Sequence, residues 1–394
     1  MATRLSGAWV GLLALPLWGQ SEGPLTRDGR YWVQTVSGTV SGAPGGRLRL
    51  DSVGSIRVRG EGGNETRYTA RKRVRADSEA EARRYFAAAP VRASRQGSSV
   101  VVTAEHPGCQ RCSYTTELEI QTPRSTQETI LRTRGGSIEV YDMEGRVTAE
   151  TAGGSVQMDR IGQSVRATTA GGSITLGGIG GPVRCETAGG SIRLGSARGE
   201  AVLTTNGGSI DADQVDGPLR AETAGGNIRA GKVNGDVIAE TAGGSIYLSQ
   251  VNGTVTAETA GGSITVEGAR GVRAENAGGS IKLIDVAGVL RAATAAGNIL
   301  ALLTAHQSLA DSLLETSMGN IEVVIPATLK LTIRADVEVA GSTNRIQCDF
   351  PDVRVYSRDQ GPGPRAVVAE GAINGGGPVL RIRNTSGNIQ IKRR

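Results

Sequence analysis

The chain has 394 residues with 58 glycines, only three tryptophans, seven tyrosines and two phenylalanines, and a formal net charge of +6. The glycines do not recur at every third residue and there are only 13 prolines, which excludes collagen. Apolar residues make up 38% of the chain in a regular pattern, which excludes a disordered polymer. Two histidines also argue against imidazole-based catalysis or a metal site with several histidine ligands. A repeat or an unusual number of loops must therefore account for the glycine.

The first residues have the pattern of a secretory signal peptide. Arg4 precedes an apolar run from Ala8 to Trp18, and small and polar residues follow up to Ser21. This run is too short to cross a bilayer, which takes about 20 residues. The alternative is a short buried N-terminal segment. We expect residues 1–21 to be a signal peptide, which places the mature chain in the periplasm, on the cell surface or outside the cell, without a transmembrane span.

Residues 22–130 are predicted to form a β-rich region with one short helix. Ser78–Ala89 has the helix pattern, because Ser78 is followed three residues later by Glu81 and the segment ends before Pro90. Alternating apolar and polar residues predict strands in Arg47–Arg59, Ser99–Ala104 and Tyr114–Gln121.

Residues 131–325 repeat every 18 residues. Gly-Gly pairs begin at 135, 153, 171, 189, 207, 225, 243 and 261, and steps of 17, 18 and 22 residues then lead to Gly278, Ala296-Gly297 and Met318-Gly319. Each unit holds two alternating stretches, for example Val255–Thr259 and Ile264–Val266, as in strands. A helix is excluded because each glycine pair would cost it about 2 kcal/mol relative to alanine. We predict an all-β fold, a parallel β-solenoid (β-helix) of 18-residue, right-handed coils, with eleven coils forming a rod of roughly 50 Å.

The repeat also predicts what lies inside the rod. The columns that contain Val255, Ala257 and Ile264 stay apolar from coil to coil, and a thin interior of such residues explains the shortage of aromatics. The column that contains Thr259 is expected to point inward, where stacked hydroxyls can bond to one another or to turn backbone. An ice-binding surface would need outward-facing threonine columns and is disfavoured. The glycine pairs are expected to supply positive backbone angles at a sharp corner.

Residues 326–394 are predicted to form a C-terminal cap of strands. The candidate strands are Leu329–Val339, Arg345–Phe350 and Gly387–Lys392. Open solenoid ends expose unpaired strand edges, so both flanking regions are expected to act as caps that prevent end-to-end association.

The assembled motifs resemble a known bacterial group. The carriers are Gly54-Ser55-Ile56, the Thr116–Gln121 strand leading into Pro123, the Gly-Gly-Ser-Ile repeats, Cys348–Pro351, and Asn384–Ile389. These motifs are similar to those of the DUF4097 family, a group of candidate adhesins with a β-solenoid-like repeat domain. The resemblance covers about residues 45–394 and implies an adhesin-like role, but it supplies no catalytic residue. Pro107–Ser113 and the 22-residue step before Met318 depart from the pattern of the group.

Cys109 and Cys112 form the only CxxC motif. It lies between two predicted strands, whereas redox-active CxxC motifs usually open a helix. A four-ligand zinc site has little support, since His106 is the only histidine nearby. We favour a disulfide or inert thiols, with metal binding and redox work as open alternatives. Cys185 and Cys348 are expected to be buried and unpaired.

Asp211 and Asp213 are predicted to face outward on one strand. Their separation would suit an inverting glycosidase, whose carboxyl groups lie about 6.5–9.5 Å apart. Any outward Asp-x-Asp meets that condition, however, and Arg193 and Arg229 occupy the equivalent positions in neighbouring coils. We therefore interpret the pair as part of a solvated charge ladder.

Positive charge is concentrated near the N-terminus. Residues 57–95 contain 11 basic and 5 acidic residues. This excess predicts a patch for an anionic partner, such as envelope glycan, lipopolysaccharide or membrane headgroups, and the alternative is one basic strand face. Export argues against nucleic acid. The predicted patch consists of Arg57, Arg59, Arg71, Lys72, Arg73 and Arg75.

The sequence as a whole predicts an exported, non-enzymatic, adhesin-like β-solenoid that presents a repeat surface for protein or glycan contact in the bacterial envelope. One alternative is a carbohydrate-active β-helix enzyme of the polysaccharide lyase or hydrolase type, which needs acidic and basic residues converging in a groove. Another is a passive envelope scaffold without its own ligand. No cofactor or metal is expected, and the glycine pairs do not form a nucleotide-binding loop because each lies at a repeat corner. The oligomeric state is left open.

Overall fold

The computed structural model describes residues 20–42, 45–109, 112–305, 309–339, 345–358 and 365–394. Strands in these ranges form two sheets of 19 and 18 strands. The described residues include one helix of ten residues. No helix in this part of the chain is long and apolar enough to cross a membrane. The predicted signal peptide lies outside the described residues except for Gln20 and Ser21.

The elements follow one another in chain order with short connections. The N-terminal elements are β1 (Ser21–Glu22), β2 (Thr26–Asp28), β3 (Tyr31–Ser41), β4 (Arg47–Ser52), β5 (Ile56–Glu61), β6 (Glu65–Arg75), α1 (Glu79–Ala88), β7 (Val91–Gln96), β8 (Ser99–Ala104), β9 (Tyr114–Pro123) and β10 (Glu128–Thr133). The repeat then supplies β11 (Ile138–Met143), β12 (Arg146–Thr151), β13 (Val156–Ile161), β14 (Val165–Thr169), β15 (Ile174–Ile179), β16 (Val183–Thr187), β17 (Ile192–Ala197), β18 (Ala201–Thr205), β19 (Ile210–Val215), β20 (Leu219–Thr223), β21 (Ile228–Val233), β22 (Val237–Thr241), β23 (Ile246–Ser249), β24 (Val255–Thr259), β25 (Ile264–Ala269), β26 (Val272–Asn276), β27 (Ile281–Val286), β28 (Leu290–Thr294), β29 (Ile299–Leu302), β30 (Ser312–Met318) and β31 (Ile321–Ile325). The C-terminal strands are β32 (Leu331–Val339), β33 (Ile346–Cys348), β34 (Arg354–Arg358), β35 (Arg365–Ile373), β36 (Val379–Ser386) and β37 (Ile389–Arg393).

Each coil of the repeat contributes one strand to each sheet. From β10 to β31 the odd-numbered strands belong to the sheet called sheet A, and the even-numbered strands belong to sheet B. Neighbouring strands are parallel and offset by one coil, so Leu219 pairs with Val237 in sheet B and Ile228 pairs with Ile246 in sheet A. This arrangement confirms the predicted parallel β-solenoid of 18-residue coils.

The interior is filled from two sides by small and medium side chains. In sheet B the inward positions of one coil are Leu219, Ala221 and Thr223, and those of sheet A in the same coil include Ile228 and Ala230, all buried. Cys185 takes the place of an alanine in this packing and is 1% exposed, as predicted for a buried unpaired thiol. Burial raises the pKa of this thiol far above its ordinary value.

Both ends of the rod contain coils that are stacked out of chain order. At the N-terminal end, β10 pairs with β4 and β11 with β5, while β8 and β9 stack on the far side of β4 and β5. At the C-terminal end, β36 and β37 lie between the coil of β30 and β31 and that of β32 and β33. The two sheets therefore extend beyond residues 131–325 in both directions.

Antiparallel strands and the helix close the N-terminal end. Strand β6 pairs with β9, and β3 pairs with β6, both antiparallel. The predicted helix is confirmed as α1, where the Ser78 hydroxyl accepts the Glu81 N–H at 3.2 Å and the Glu81 carboxylate accepts the Asp77 N–H at 3.0 Å. Its residues Ala82 and Phe86 pack against Val74 of β6. At the other end, β32 pairs antiparallel with β35, and β35 with β34.

The glycine pairs are required for a different reason from the one predicted. Neither Gly153 nor Gly154 has a positive φ, and the same holds for the other Gly-Gly pairs of the repeat in the described residues, whereas Gly319 of Met318-Gly319 has a φ of +145°. Instead, a Cβ on Gly154 would lie only 2.1 Å from the carbonyl oxygen of Gly136 in the preceding coil. A Cβ on Gly153 would meet its nearest atom at an ordinary 3.8 Å. The second glycine of each pair is therefore fixed by the close approach of stacked backbones.

The inward threonines bridge consecutive coils at these turns. The Thr205 hydroxyl donates to the Gly190 carbonyl of the preceding coil at 2.8 Å and accepts the Gly208 N–H of its own turn at 3.3 Å. The same pair of bonds recurs in coil after coil, and Asn276 makes the equivalent bonds through its amide where it replaces threonine. The hydroxyls thus bond to turn backbone, one of the two expected arrangements, and they satisfy polar groups that stacking removes from water.

Substitution of the two glycines of one pair should have unequal effects. Gly154→Ala forces a methyl group against the Gly136 carbonyl and should lower the free energy of unfolding by about 1–3 kcal/mol, as overpacking does. Gly153→Ala is the matched control and should change it by less than about 1 kcal/mol. Urea denaturation followed by circular dichroism measures both, and equal losses would contradict a steric role of the second glycine.

Removal of one buried hydroxyl should be costly although the side-chain volume is kept. Thr205→Val leaves the Gly190 carbonyl and the Gly208 N–H without this partner, and we expect a loss of about 1–3 kcal/mol in unfolding free energy. The neighbouring Thr204 is partly exposed on the outer face, so Thr204→Val should be nearly neutral. If the two variants unfold at the same denaturant concentration, the hydroxyl bridge does not stabilise the stack.

Candidate functional site

A cleft of about 460 Å³ lies on the outer face of sheet A near the N-terminal end of the rod. Strands β6, β9, β5 and β11 form its floor side by side. Alternation along each strand sends every second side chain outward, which places charged residues in rows across the sheet. The lining consists of Arg57, Arg59, Arg67, Thr69, Glu119, Ile120, Gln121, Glu139 and Tyr141.

One row of the cleft is an internally neutralised ion-pair network. Arg57 forms a two-point contact with Glu139, from Nε to Oε2 at 2.9 Å and from Nη2 to Oε1 at 3.2 Å, and lies 3.6 Å from Glu119. Hydrogen bonding to Glu139 raises the pKa of the Arg57 guanidinium above its ordinary value. Burial is the main cause of the raised pKa of Tyr141, and Glu139 adds to it. Arg57 is thus held in place by carboxylates on both sides.

The adjacent row carries cationic groups without such partners. Strand register places Arg67 beside Gln121, Gln121 beside Arg59, and Arg59 beside Tyr141. Neither Arg59 nor Arg67 forms an ion pair with a described residue. With strands about 4.8 Å apart, the bases of the two arginines stand about 10 Å from each other across the Gln121 amide. This row presents two guanidinium donors and one amide to solvent.

The other predicted patch residues lie elsewhere along β6. Arg71 is within 3.7 Å of both Asp28 and Glu117, and Arg73 stacks 3.9 Å from the ring centre of Tyr31. Arg75 is exposed at the end of the strand, opposite Tyr31 in β3. The structure therefore brings Arg57 and Arg59 together in the cleft but places Arg71, Arg73 and Arg75 outside it.

Lys72 does not belong to the exposed patch in which the sequence placed it. It alternates with Arg71 and Arg73, so it points inward and is only 2% exposed. Its Nζ donates to the Phe86 carbonyl at 3.3 Å and lies 5.2 Å from the Phe86 ring. Burial lowers the pKa of the Lys72 ammonium.

A second surface feature, here called the turn groove, follows the Gly-Gly turns along sheet B. One part, of about 1040 Å³, is lined by residues of both charges, among them Arg132, Arg166 and Glu186. The part nearer the C-terminus has about 890 Å³ and is acidic. Its carboxylates stand in register on consecutive coils, at Glu222, Glu240, Glu258 and Glu275.

The acidic part of the turn groove is only partly neutralised. Arg220 contacts Glu222 and lies 3.8 Å from Glu240, and Arg273 lies 2.5 Å from Glu275. Glu258 has no cationic partner among the described residues. Like charges directly opposite each other on neighbouring strands are destabilising, so this surface favours positively charged contacts over anionic ones.

The two aspartates considered as an acid and base lie in a charge ladder. Asp211 is 3.9 Å from Arg193 and 3.4 Å from Arg229, one coil to either side. Asp213 is exposed and takes part in no ion pair in the described part of the chain. Cys109 and Cys112 are joined in a disulfide with a Cα–Cα distance of 5.6 Å. Cys348 is unpaired, as predicted, but it is half-buried and not buried as the sequence had indicated.

The buried lysine should make stability depend on pH. Because burial lowers the Lys72 pKa below its ordinary value of 10.5, the unfolded chain binds more protons than the folded one between the two values, and wild-type stability should rise with pH there. Lys72→Met removes the titrating group, so the wild type should gain stability relative to this variant as pH rises towards 10.5. Urea denaturation between neutral pH and that value measures the difference. Exposed Lys282 provides the control, Lys282→Met, and a pH-independent difference for Lys72→Met would contradict the prediction.

The chain has only low similarity to known proteins. No family model matches the chain, so the resemblance to the DUF4097 group stays an expectation from motifs, and no curated protein matches it. A solved candidate cell adhesion protein from Clostridium sporogenes is 8% identical, over 91% of this chain and 99% of that one, with a TM-score of 0.20. A candidate adhesin from Bacteroides fragilis is 14% identical, over 73% and 96%, with a TM-score of 0.25. A candidate lipid-binding protein from Parabacteroides distasonis is 11% identical, over 91% and 96%, with a TM-score of 0.23. At these scores the likeness carries no argument about function.

Proposed function

We propose that this chain is an exported, non-enzymatic, adhesin-like β-solenoid that binds acidic glycan in the bacterial envelope. The observation that carries the proposal is the row of Arg67, Gln121 and Arg59 on the outer face of sheet A. Neither arginine forms an ion pair with a described residue, although the charge of Arg59 reaches the Asp142 carboxylate, while the neighbouring Arg57 is already occupied by Glu139. The row therefore has unused donors where an anion can reach them.

Guanidinium groups suit carboxylate and sulfate groups because their donors form a planar fork that contacts two oxygens at once. Two such groups about 10 Å apart fit acidic groups on successive sugars of a chain better than one small anion. The Gln121 amide between them adds a donor and an acceptor for hydroxyl groups. Uronic-acid and sulfated polysaccharides are accordingly the proposed ligand class.

The rigid frame supports a binding role. The cleft residues stand on strands whose inward neighbours, including Val58, Tyr68 and Ile120, are buried. The backbone that carries the cleft residues is therefore held in place by the sheet, which lowers the entropy lost on binding. We propose that no catalysis occurs at Asp211, since Arg193 and Arg229 neutralise it on both sides.

The proposal is tested with the double variant Arg59→Ala/Arg67→Ala. We expect the wild type to bind uronic-acid or sulfated glycans on an array, and the variant to lose at least about tenfold in affinity, since hydrogen bonds to charged groups contribute about 1.5–3 kcal/mol each. Binding by the wild type should also weaken as salt concentration rises.

The control is Arg184→Ala/Arg291→Ala, which removes the same charge from exposed positions of sheet B. This variant should bind like the wild type. Equal losses in both double variants would indicate a nonspecific effect of net charge, and no acidic-glycan binding by the wild type would reject the proposed ligand class.

A further inference from the structure

The loop between β8 and β9 brings one histidine and two cysteines together. The ligand atoms of His106, Cys109 and Cys112 all lie within 4.8 Å of one another. All three side chains are half-buried, so they are held by the fold and still reachable from solvent. The CxxC motif itself contains only the two cysteines.

The local sequence explains this convergence. In His106-Pro107-Gly108-Cys109, proline precedes glycine, and Gly108 has a φ of +74°. This is the pattern of a type II turn, in which the first and fourth residues approach within about 7 Å. Cys112 then returns to Cys109, with 5.6 Å between their Cα atoms. One turn therefore joins the histidine to the first cysteine, and the CxxC spacing joins the second.

The histidine ring is fixed by two independent contacts. The Gly108 N–H donates to His106 Nδ1 at 3.1 Å, so that nitrogen carries a lone pair on the side of the turn. The ring also packs edge-on against Tyr114, with 5.8 Å between ring centres and an interplanar angle of 83°. Tyr114 in turn contacts Phe86 of α1. The imidazole is thus oriented before any ligand binds.

Two thiolates and one imidazole form a donor set that prefers borderline-soft metal ions. Zn²⁺ binds sulfur at about 2.3 Å and histidine nitrogen at about 2.0–2.1 Å in a tetrahedral arrangement. These bond lengths place the ligand atoms about 3.5–3.8 Å apart, so the two sulfur atoms, which are bonded to each other in the disulfide, must separate to this distance when the metal binds. Three protein ligands leave the fourth position for water, as at reactive zinc centres rather than at closed structural ones.

The same two sulfur atoms form the disulfide, so disulfide and metal exclude each other. We propose that His106, Cys109 and Cys112 form a redox-controlled Zn²⁺ site. A dithiol reductant supplies two electrons and two protons to the Cys109–Cys112 disulfide and itself becomes a disulfide. Zn²⁺ then displaces the two thiol protons into solvent, and His106 Nδ1 gives up its hydrogen bond from the Gly108 N–H so that its lone pair completes the protein ligand set.

The site lies at one end of the turn groove. His106 and Gly108 line the part of the groove that also contains Arg132 and Glu186. The two thiolates balance the charge of a bound Zn²⁺, so the site keeps the net charge that it has as a disulfide.

The test uses the full chain, reduced with a dithiol and kept under argon, with Co²⁺ as the coloured probe. We expect one Co²⁺ per chain with thiolate-to-cobalt charge-transfer absorption, displacement of Co²⁺ by Zn²⁺, and no such absorption in the oxidised protein. His106→Gln should raise the Kd for Co²⁺ at least about tenfold. Cys109→Ser and Cys112→Ser should each abolish the two-thiolate spectrum.

The control is Cys185→Ala/Cys348→Ser, which removes the other two thiols and should leave binding unchanged. Circular dichroism verifies that every variant keeps its β-structure. Equal Kd values for Co²⁺ in the wild type and His106→Gln would show that only the two cysteines bind the metal, and this would overturn the proposal. Equal binding by oxidised and reduced protein, or no charge-transfer band in the reduced wild type, would also overturn it.

Discussion

The structure depends on how closely the backbones of consecutive coils approach at the Gly-Gly turn. There the second glycine of one coil lies against the carbonyl of the second glycine of the previous coil, with no room for a side chain. This contact brings that carbonyl within reach of the inward threonine of the next coil, as Thr205 shows with Gly190. Because the turn fixes the register of both strands that leave it, every inward and outward column follows from the same approach. The outer rows of charge are therefore consequences of backbone packing.

The sequence predicted the repeated part of the fold well because its constraints are local and periodic. Period-two alternation and the 18-residue spacing together determine which side chains meet, as with Leu219 and Val237. The end coils lack this signal, since β4 pairs with β10 across an intervening coil, a helix and antiparallel strands. The reason for the glycines was also missed, because a sequence shows a preference for glycine without distinguishing a positive φ from a steric contact.

Part of the candidate site was predictable and part was not. Arg57 and Arg59 stand in one alternating strand, so their common outward face follows from sequence. The same alternation places Lys72 on the opposite face from Arg71, so the sequence pattern already argues against Lys72 as a member of the exposed patch. Arg67 was missed because its place beside Arg59 depends on the antiparallel pairing of β6 with β9, a long-range contact that no local pattern encodes. The sequence shows that His106 lies three residues before Cys109, but whether the side chains meet depends on the turn at Pro107-Gly108.

The insertion of β36 and β37 between two earlier coils has a consequence for how the chain is assembled. A solenoid whose coils stack in chain order can grow coil by coil as it emerges from a ribosome or a translocation pore. Here the coil of β32 and β33 has no stacking surface until residues 379–393 arrive, because those residues form the layer on which it rests. The end of the rod is therefore completed only once the last strands of the chain are present. A truncated product would leave one edge of β30 and of β31 without the parallel partner that β36 and β37 provide in the intact chain.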